Sequence, residues 1–279
     1  MTTVPGPVVS TEWLAANLGA PDVRVFDSTW FLARERSARG EWASAHIPGA
    51  RFFDIGEISN KKSKLPHMLP NMAVFSMHAG KLGIRTNDAV VAYDTMGLFS
   101  AARAWWMFRA MGHDNVAVLD GGLPKWRAEG RPVDSTTTTP KMSRYMAKPR
   151  PALVRGISHI KANLASHAEQ MVDARARARF KGEEGEPRPG MRAGHIPGAR
   201  NVPYTELLNP DGTFKPDEDL KRIFAAEGVD LNKPVIASCG SGITANIVLL
   251  AMAKLGHPDN ALYDGSWSEY SMSLLPAET

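Results

Sequence analysis

The residues best suited to chemistry lie in one short loop, Cys239-Gly240-Ser241-Gly242-Ile243-Thr244, which contains the only cysteine of the chain. An apolar run typical of a strand precedes the loop at Pro234–Ser238, and a run that favours a helix follows at Thr244–Leu255. Backbone N–H groups without carbonyl partners and the helix dipole stabilise an anion at such a junction. Cysteines at helix N-termini have pKa values of roughly 3.5–7.5, against about 8.5 for a free thiol. The sequence therefore predicts that Cys239 is a thiolate nucleophile.

Each neighbour in this loop has a structural and a functional interpretation. Cys239 itself could be only a small buried hydrophobe, but the flanking Gly240 and Gly242 favour the nucleophile because glycine lets several amides turn toward one sulfur. Thr244 is predicted mainly to cap the helix that it begins, and its hydroxyl could also join the cradle. Ser241 could face water, or it could bind the leaving group's oxygen and assist proton movement.

The segment HIPGAR occurs twice, at 46–51 and at 195–200, which is an offset of 195 − 46 = 149 residues. The sequences VVAYD and VIASC, and then GHDNVAVLDGG and GHPDNALYDGS, follow the two copies in the same order. This pattern predicts two copies of one domain, at residues 8–131 and 153–275, joined by a Thr- and Pro-rich linker at 132–152. Asp94 takes the place of Cys239 in the first copy, so we expect that domain to be non-catalytic.

Short apolar runs alternate with helical patterns in both copies, which predicts an α/β fold with a parallel sheet covered by helices on both faces. We expect each HIPGA segment to form a turn that leads into a further strand. The predicted helices are Ser10–Leu18, Ser100–Met111, Ser158–His167 and Thr244–Leu255, and the predicted strands are Val23–Asp27, Val116–Leu119, Gln170–Asp173, Val235–Ser238 and Ala261–Tyr263.

Composition limits the possible function classes. Lys and Arg (33) barely exceed Asp and Glu (29) in 279 residues, so no nucleic-acid partner is indicated, although a net charge of +4 suits small anionic substrates. A single cysteine excludes an internal disulfide framework and a multi-cysteine metal site, and no cofactor is indicated. The chain shows no secretory signal and no apolar run of the roughly 20 residues that cross a bilayer, so we expect a cytoplasmic protein without a membrane partner.

The tandem HIPGA segments, the CGSGIT loop and the ending GHPDNALYDGSWSEY together resemble the two-domain rhodanese family of sulfurtransferases. The CGSG loop and the segment Asp173–Ala199 are most similar to the members of that family that use 3-mercaptopyruvate. The resemblance covers the chain from about Ser10 to Tyr270. It implies an enzyme that moves sulfur from a small anionic donor through a Cys239 persulfide to an acceptor, which is a small thiol, a thioredoxin-like protein or cyanide.

The resemblance also implies roles for residues outside the loop. Arg179 and Arg188 match the two arginines that hold the substrate's carboxylate and keto oxygen, for which a guanidinium fork is suited. Their neighbours Arg175, Arg177 and Arg192 are predicted to be structural. His67 matches a histidine that relays a proton with Ser241. The family places a second Asp before this histidine, but this chain has Gly56 there, so Asp54 or Glu57 would have to substitute, or the relay is not needed.

Three alternatives remain at this point. A thiosulfate donor is disfavoured because Gly240-Ser241-Gly242 offers no charge for a compact dianion. A phosphatase would need an arginine six residues after the cysteine, where this chain has Ala245. A non-catalytic interaction module is the third, and it would not take up sulfur on Cys239.

Overall fold

The computed structural model describes residues 1–33, 35–137 and 139–279; Thr138, which falls in the predicted linker, and Arg34 lie outside the described residues. The chain divides into two compact units. The first unit contains residues 1–60, 70–150 and 209–214, and the second contains 61–69, 151–208 and 215–279. Each unit therefore includes one short segment from the other half of the sequence.

The first unit is built on a five-stranded sheet in which every pairing is parallel. The strand order is β1-β5-β4-β2-β3. The strands are β1 (Val8–Val9), β2 (Val23–Asp27), β3 (Arg51–Phe52), β4 (Ala89–Tyr93) and β5 (Val116–Leu119). The helices are α1 (Thr11–Asn17), α2 (Ala38–Ser44), α3 (Ile55–Ile58), α4 (Met72–Lys81), α5 (Ala101–Ala110) and α6 (Gly122–Ala128).

The second unit repeats this plan, again with parallel pairing throughout, in the order β6-β10-β9-β7-β8. Its strands are β6 (Val154–Arg155), β7 (Gln170–Asp173), β8 (Arg200–Asn201), β9 (Val235–Ser238) and β10 (Ala261–Tyr263). Its helices are α7 (Ile157–Ser166), α8 (Arg177–Phe180), α9 (Asp217–Ala226), α10 (Ala245–Lys254) and α11 (Ser266–Tyr270). In the described ranges, no helix has the length and apolar character that a membrane span requires.

Helices cover both faces of the first sheet because successive side chains of a strand point to opposite sides. On one face Val25 of β2 belongs to a buried cluster with Leu14 of α1 and Trp126 of α6. On the other face the Phe26 ring meets Phe53 at 6.2 Å between centroids, within a group of aromatic rings that also draws on α4 and α5. The predicted α/β architecture is confirmed.

The predicted helices and strands are present with ends shifted by at most one residue, and both HIPGA segments lead into strands, β3 and β8. Ser10 caps α1, as predicted, by accepting a hydrogen bond from the Trp13 N–H at 3.2 Å. The two-residue strands β1 and β6 escaped prediction because two residues carry no periodic pattern. Short helices such as α2 and α8 were missed for a similar reason.

The second half of the predicted linker packs against the first unit. Tyr145 is buried, and its ring stacks on His113 with 5.8 Å between centroids. The Ser143 N–H donates to the Gly80 carbonyl at 2.9 Å, close to the end of α4. This segment is therefore an ordered strap rather than a freely moving connection, although its composition is typical of a linker.

Candidate active site

Cys239 follows β9 directly and begins the loop that leads into α10. Its side chain is buried, as are Ser241 and Ile243, and the nine residues 245–253 of α10 are buried as well. Gly242 adopts φ +75°, a left-handed conformation that strains residues with a Cβ. The predicted strand–loop–helix arrangement is thus present, and the positive φ at position 242 favours glycine there.

The first residues of α11 fix this loop through hydrogen bonds to its backbone. The Cys239 N–H donates to Ser266 Oγ at 3.3 Å, and the Cys239 carbonyl accepts from the Trp267 N–H at 2.9 Å. The Gly240 carbonyl accepts from both the N–H and the hydroxyl of Ser268, at 2.9 and 2.6 Å. Sequence analysis missed Ser266 and Ser268. The signal that could have indicated Ser266 is an Asp-Gly pair that recurs before the final helix of each copy and is followed by Gly in the first copy and by Ser in the second.

The role predicted for Thr244 needs correction. Thr244 occupies the position before α10, but its side chain makes no capping hydrogen bond, because its backbone (φ −75°, ψ −20°) is already helical. Asn246 stabilises the turn instead. Its side-chain amide donates to the carbonyls of Gly242 and Ile243, at 2.8 and 2.9 Å. Since Asn246 lies inside the helix, sequence analysis gave no reason to select it.

A buried ion network supports the arginine-rich segment. Arg175 contacts Asp173 at 2.6 Å and Glu186 at 2.6 Å, and the side chains of all three are at most 3 % exposed. The Arg175 guanidinium also lies over the Trp267 ring, 4.7 Å from its centroid. Burial alone would lower the pKa of Arg175, but its two carboxylate partners outweigh burial and raise it. Arg175 is therefore a structural cation.

Arg179 connects this network to the cysteine loop. Its guanidinium pairs with Glu186, the carboxylate that Arg175 also holds. Arg179 Nη2 lies 3.1 Å from the point that a Cβ on Gly240 would occupy. Glu186 thus holds the Arg179 cation against Gly240, the residue that follows Cys239.

Arg188 lies close enough to the same loop to interact electrostatically with Cys239. Burial lowers the pKa of Arg188; the neighbouring Cys239 and Glu186 oppose this effect, and the Arg179 cation adds to it. The two arginines selected from the sequence are therefore brought together near Cys239. Arg177 instead pairs at 2.7 Å with both Glu206 and Glu227 in an exposed cluster.

His67 belongs to the second unit, within the segment 61–69. It adopts φ +60°, one of three residues other than glycine with positive φ in the described parts of the chain, and its Nε2 atom is buried. Two residues later, the Leu69 N–H donates to Asp264 Oδ2 at 2.7 Å. Asp54, considered above as a partner for this histidine, uses its carboxylate to cap α3 by accepting from the Glu57 N–H at 3.0 Å.

Asp94 shows what the equivalent loop does in the first unit. One carboxylate oxygen accepts from the N–H groups of Phe99 and Ala101, at 2.8 and 2.9 Å, and the other accepts from Met96 at 2.9 Å. Burial raises the pKa of Asp94, and these donors oppose the rise. The loop between the strand and the helix therefore forms a cup of amides around a negative group.

Comparison with known proteins agrees with this geometry. The Rhodanese-like domain family matches residues 10–129 and 157–273. The Arabidopsis thaliana protein named thiosulfate/3-mercaptopyruvate sulfurtransferase 2 is 44% identical over 95% of this chain and 84% of its own length. The Homo sapiens protein named 3-mercaptopyruvate sulfurtransferase is 43% identical over 97% of this chain and 94% of its own length.

Among solved structures, SseA from Escherichia coli matches with a TM-score of 0.86 and 38% identity, over 94% of this chain and 99% of SseA. The description of that structure concerns the rhodanese fold and the mechanism of 3-mercaptopyruvate sulfotransferases. The resemblance predicted from HIPGA and CGSGIT is confirmed. The chain therefore belongs to the rhodanese family and carries two Rhodanese-like domains in tandem.

Proposed function

We propose that this protein is a sulfurtransferase that takes sulfur from 3-mercaptopyruvate, carries it as a persulfide on Cys239 and passes it to a thiol or to cyanide. One observation carries the proposal: the sole cysteine begins a neutral loop of amides at the end of a parallel strand, with the guanidinium of Arg179 held against that loop. The second domain, predicted at 153–275, is the catalytic one, and the first, 8–131, joined through 132–152, has Asp94 in place of the nucleophile.

In the first step the Cys239 thiolate attacks the sulfur of mercaptopyruvate. A bond forms between the two sulfurs, and the bond between the donor's sulfur and carbon breaks. The electron pair of the broken sulfur–carbon bond stays on the carbon and gives an enolate. The enolate takes up the proton of the donor's own thiol and leaves as pyruvate. Backbone amides of the loop stabilise the negative persulfide as an oxyanion hole stabilises oxygen.

In the second step an acceptor thiolate, or cyanide, attacks the outer sulfur. The bond between the two sulfurs breaks, and its electron pair restores the Cys239 thiolate. The products are a persulfide on the acceptor, or thiocyanate. We propose that this cycle runs in the cytoplasm, where a reducing environment keeps a single thiol free.

The remaining site residues act on the donor's other atoms. Arg179 and Arg188 bind its carboxylate and keto oxygen. Ser241 donates to the oxygen on which enolate charge develops, and His67 relays the proton. Gly240, Gly242, Ile243 and Thr244 complete the loop that encloses the persulfide.

Thiosulfate is the second candidate donor, because the name of the Arabidopsis thaliana relative includes both thiosulfate and 3-mercaptopyruvate. The Gly240-Ser241-Gly242 loop carries no charged side chain of its own for a compact dianion, which favours mercaptopyruvate, and Arg179, which lies against Gly240, is assigned to the donor's carboxylate and keto oxygen. Steady-state rates with each donor and cyanide separate the two. A kcat/KM larger for thiosulfate than for mercaptopyruvate would contradict the proposed donor.

The direct test is the mass of the protein after treatment with 3-mercaptopyruvate and removal of the excess. We expect one added sulfur atom on wild-type protein, none on Cys239→Ser, and loss of the added sulfur with release of thiocyanate when cyanide is supplied. An unchanged mass of the wild-type protein would overturn the proposal and would favour a non-catalytic interaction module.

A further inference from the structure

The segment that carries His67 is fixed to the second unit by a buried carboxylate. Residues 61–69 lie between β3 and β4 of the first sheet in the sequence, yet they belong to the second compact unit. Asp264, 3 % exposed, accepts a hydrogen bond from the Leu69 N–H at 2.7 Å. A hydrogen bond between a backbone donor and a buried carboxylate is stronger than one between neutral groups.

Asp264 also begins the turn that holds the nucleophile's backbone. It lies directly after β10, two residues before Ser266, whose Oγ accepts from the Cys239 N–H. The next residue, Trp267, donates its N–H to the Cys239 carbonyl at 2.9 Å. One short turn therefore contacts both the Cys239 loop and, through Asp264, the segment of His67.

The first unit contains the same anchor. Asp120, directly after β5, accepts from the Phe214 N–H at 2.9 Å, and Phe214 ends the segment 209–214 that belongs to the first unit. The two carboxylates are 264 − 120 = 144 residues apart, and the two donors are 214 − 69 = 145 apart, close to the repeat offset. The anchor is therefore a feature of the repeated fold, and only in the second unit does it adjoin a cysteine.

His67 has a backbone conformation that needs such an anchor. A residue with a Cβ at φ +60° is strained by about 1–2 kcal/mol, and the conformation persists only where the surroundings fix it. The anchored Leu69 lies two residues away. Releasing Leu69 would let the segment relax and would change the direction of the imidazole.

We propose that Asp264 is a positioning residue for sulfur transfer: by holding the Leu69 N–H, it keeps His67 aligned with the Cys239 loop. This inference rests on the proposed sulfurtransferase function and on the role assigned to His67. This proposal assigns Asp264 no contact with the donor, so its removal should affect the chemical step rather than donor binding.

The test compares Asp264→Ala and Asp264→Asn with the matched control Asp120→Ala, in turnover of 3-mercaptopyruvate with cyanide. We expect Asp264→Ala to lower kcat by about 100-fold, with KM within about threefold of wild type. Asp264→Asn should restore most of the turnover because its amide oxygen can still accept from Leu69. Asp120→Ala should leave kcat within about twofold.

Two further measurements separate positioning from a general loss of stability. In a His67→Ala background, Asp264→Ala should lower kcat no further, because the group that it positions is gone. Amide hydrogen exchange of residues 61–69 should accelerate about tenfold in Asp264→Ala and stay unchanged in Asp120→Ala.

The outcomes distinguish this inference from the proposed function. If wild-type protein transfers no sulfur from mercaptopyruvate, the function fails, and hydrogen exchange alone decides whether Asp264 anchors the segment. Unchanged exchange at 61–69 in Asp264→Ala overturns the inference. So does active wild-type protein together with equal losses of kcat in Asp264→Ala and Asp120→Ala, or with an equal loss in the wild-type and His67→Ala backgrounds.

Discussion

The guanidinium of Arg179 limits the size of the residue at position 240. Glu186 holds this cation from one side, and a Cβ on Gly240 would meet Arg179 Nη2 at 3.1 Å. A larger residue would require the Arg179 guanidinium to move by a few tenths of an ångström, so glycine at this position provides space rather than an unusual φ. The neutral loop and the cation that we propose binds the donor meet at this one close approach.

We predict that Gly240→Ala raises the KM for mercaptopyruvate by about fivefold, equivalent to about 1 kcal/mol, because the methyl group displaces the Arg179 guanidinium. The kcat should change little, since the lost interaction binds donor and transition state alike. Steady-state kinetics measure both values. Gly156→Ala, whose Cβ would meet nothing within 4 Å, is the control and should match wild type. A fall in kcat at constant KM would contradict this account.

Arg188→Ala is expected to raise the KM for mercaptopyruvate by roughly 10- to 100-fold, the equivalent of one charge-assisted hydrogen bond of about 1.5–3 kcal/mol. Arg188→Lys should recover only part of the loss because an ammonium cannot bind a carboxylate through two parallel donors. Arg177→Ala removes a cation of the same segment that pairs with Glu206 and Glu227, and it should leave KM near the wild-type value. Equal effects of the two alanine variants would remove Arg188 from the donor site.

At the scale of single residues, candidates could be selected from sequence where the residue type itself carries the chemistry. Cys239, Arg179 and Arg188 could be selected by type and resemblance, and the structure brings them together. Ser266 could not, because it acts through an oxygen that accepts from a backbone N–H brought near by the fold. Thr244 was assigned a cap on propensity, but the helical backbone at that position leaves its hydroxyl no capping role.

At the scale of the element, the two copies of the strand–loop–helix junction differ in what fills the cup. Six residues, 95–100, separate Asp94 from α5, whereas five, 240–244, separate Cys239 from α10. In the first copy the Asp94 carboxylate accepts three backbone N–H groups. The backbone amides of the first junction thus bind the Asp94 carboxylate. We propose that the amides of the second junction bind a persulfide in the same way.

We predict that Asp94→Ala lowers the free energy of unfolding by about 2–3 kcal/mol, since it leaves three N–H donors without their acceptor, of which that of Ala101 is buried. Chemical denaturation measures the loss, and sulfur transfer per folded molecule should stay close to wild type. Asp230→Ala is the control: this exposed carboxylate accepts from the Asn232 N–H at 3.0 Å, and its loss should cost less than about 1 kcal/mol. A loss of similar size in both variants would show that the Asp94 cup contributes little.

The four helices and five strands predicted from sequence are present, but the ten-residue helices α4 and α9 were missed along with the shortest elements. Helices of ten residues such as α5 and α10 showed their ends through neighbouring glycines and polar residues. Helix α8 has only four residues, yet it carries Arg179. Arg179 pairs with Glu186, seven residues later, which also pairs with Arg175, and such a shared buried carboxylate cannot be recognised from a local periodic pattern.

At the scale of the whole molecule, the two units treat one equivalent buried carboxylate in different ways. Asp173 at the end of β7 is neutralised by Arg175 at 2.6 Å. Asp27, at the end of β2, has Thr29 in the place of that arginine and accepts its N–H at 2.9 Å. Burial raises the pKa of Asp27 to about 6; the hydrogen bonds from Thr29 oppose this rise, and the nearby Asp94 charge adds to it.

This difference predicts a pH-dependent stability. Because the folded pKa of Asp27 lies above its unfolded value of about 3.9, the folded state binds the proton more tightly, and stability falls as pH rises from about 4 to about 6. The loss attributable to Asp27 is about 3 kcal/mol, from a difference of about two pKa units. Asp27→Asn should abolish it. Unfolding free energies of both proteins between pH 4 and pH 8 would test this, and a constant difference would contradict it.

Residues 61–69 and 209–214 each complete the compact unit to which the opposite half of the sequence contributes the sheet. A simple tandem repeat would give two units that each consist of one continuous copy, but here neither copy contains all the residues of the unit built on its sheet. A gene cut at the middle would yield two fragments, each lacking the strip of chain that the other encodes. Recombination that exchanges whole halves between paralogues would therefore have to preserve both borrowed strips. The repeat visible in HIPGAR thus folds into two units that exchange segments within one polypeptide.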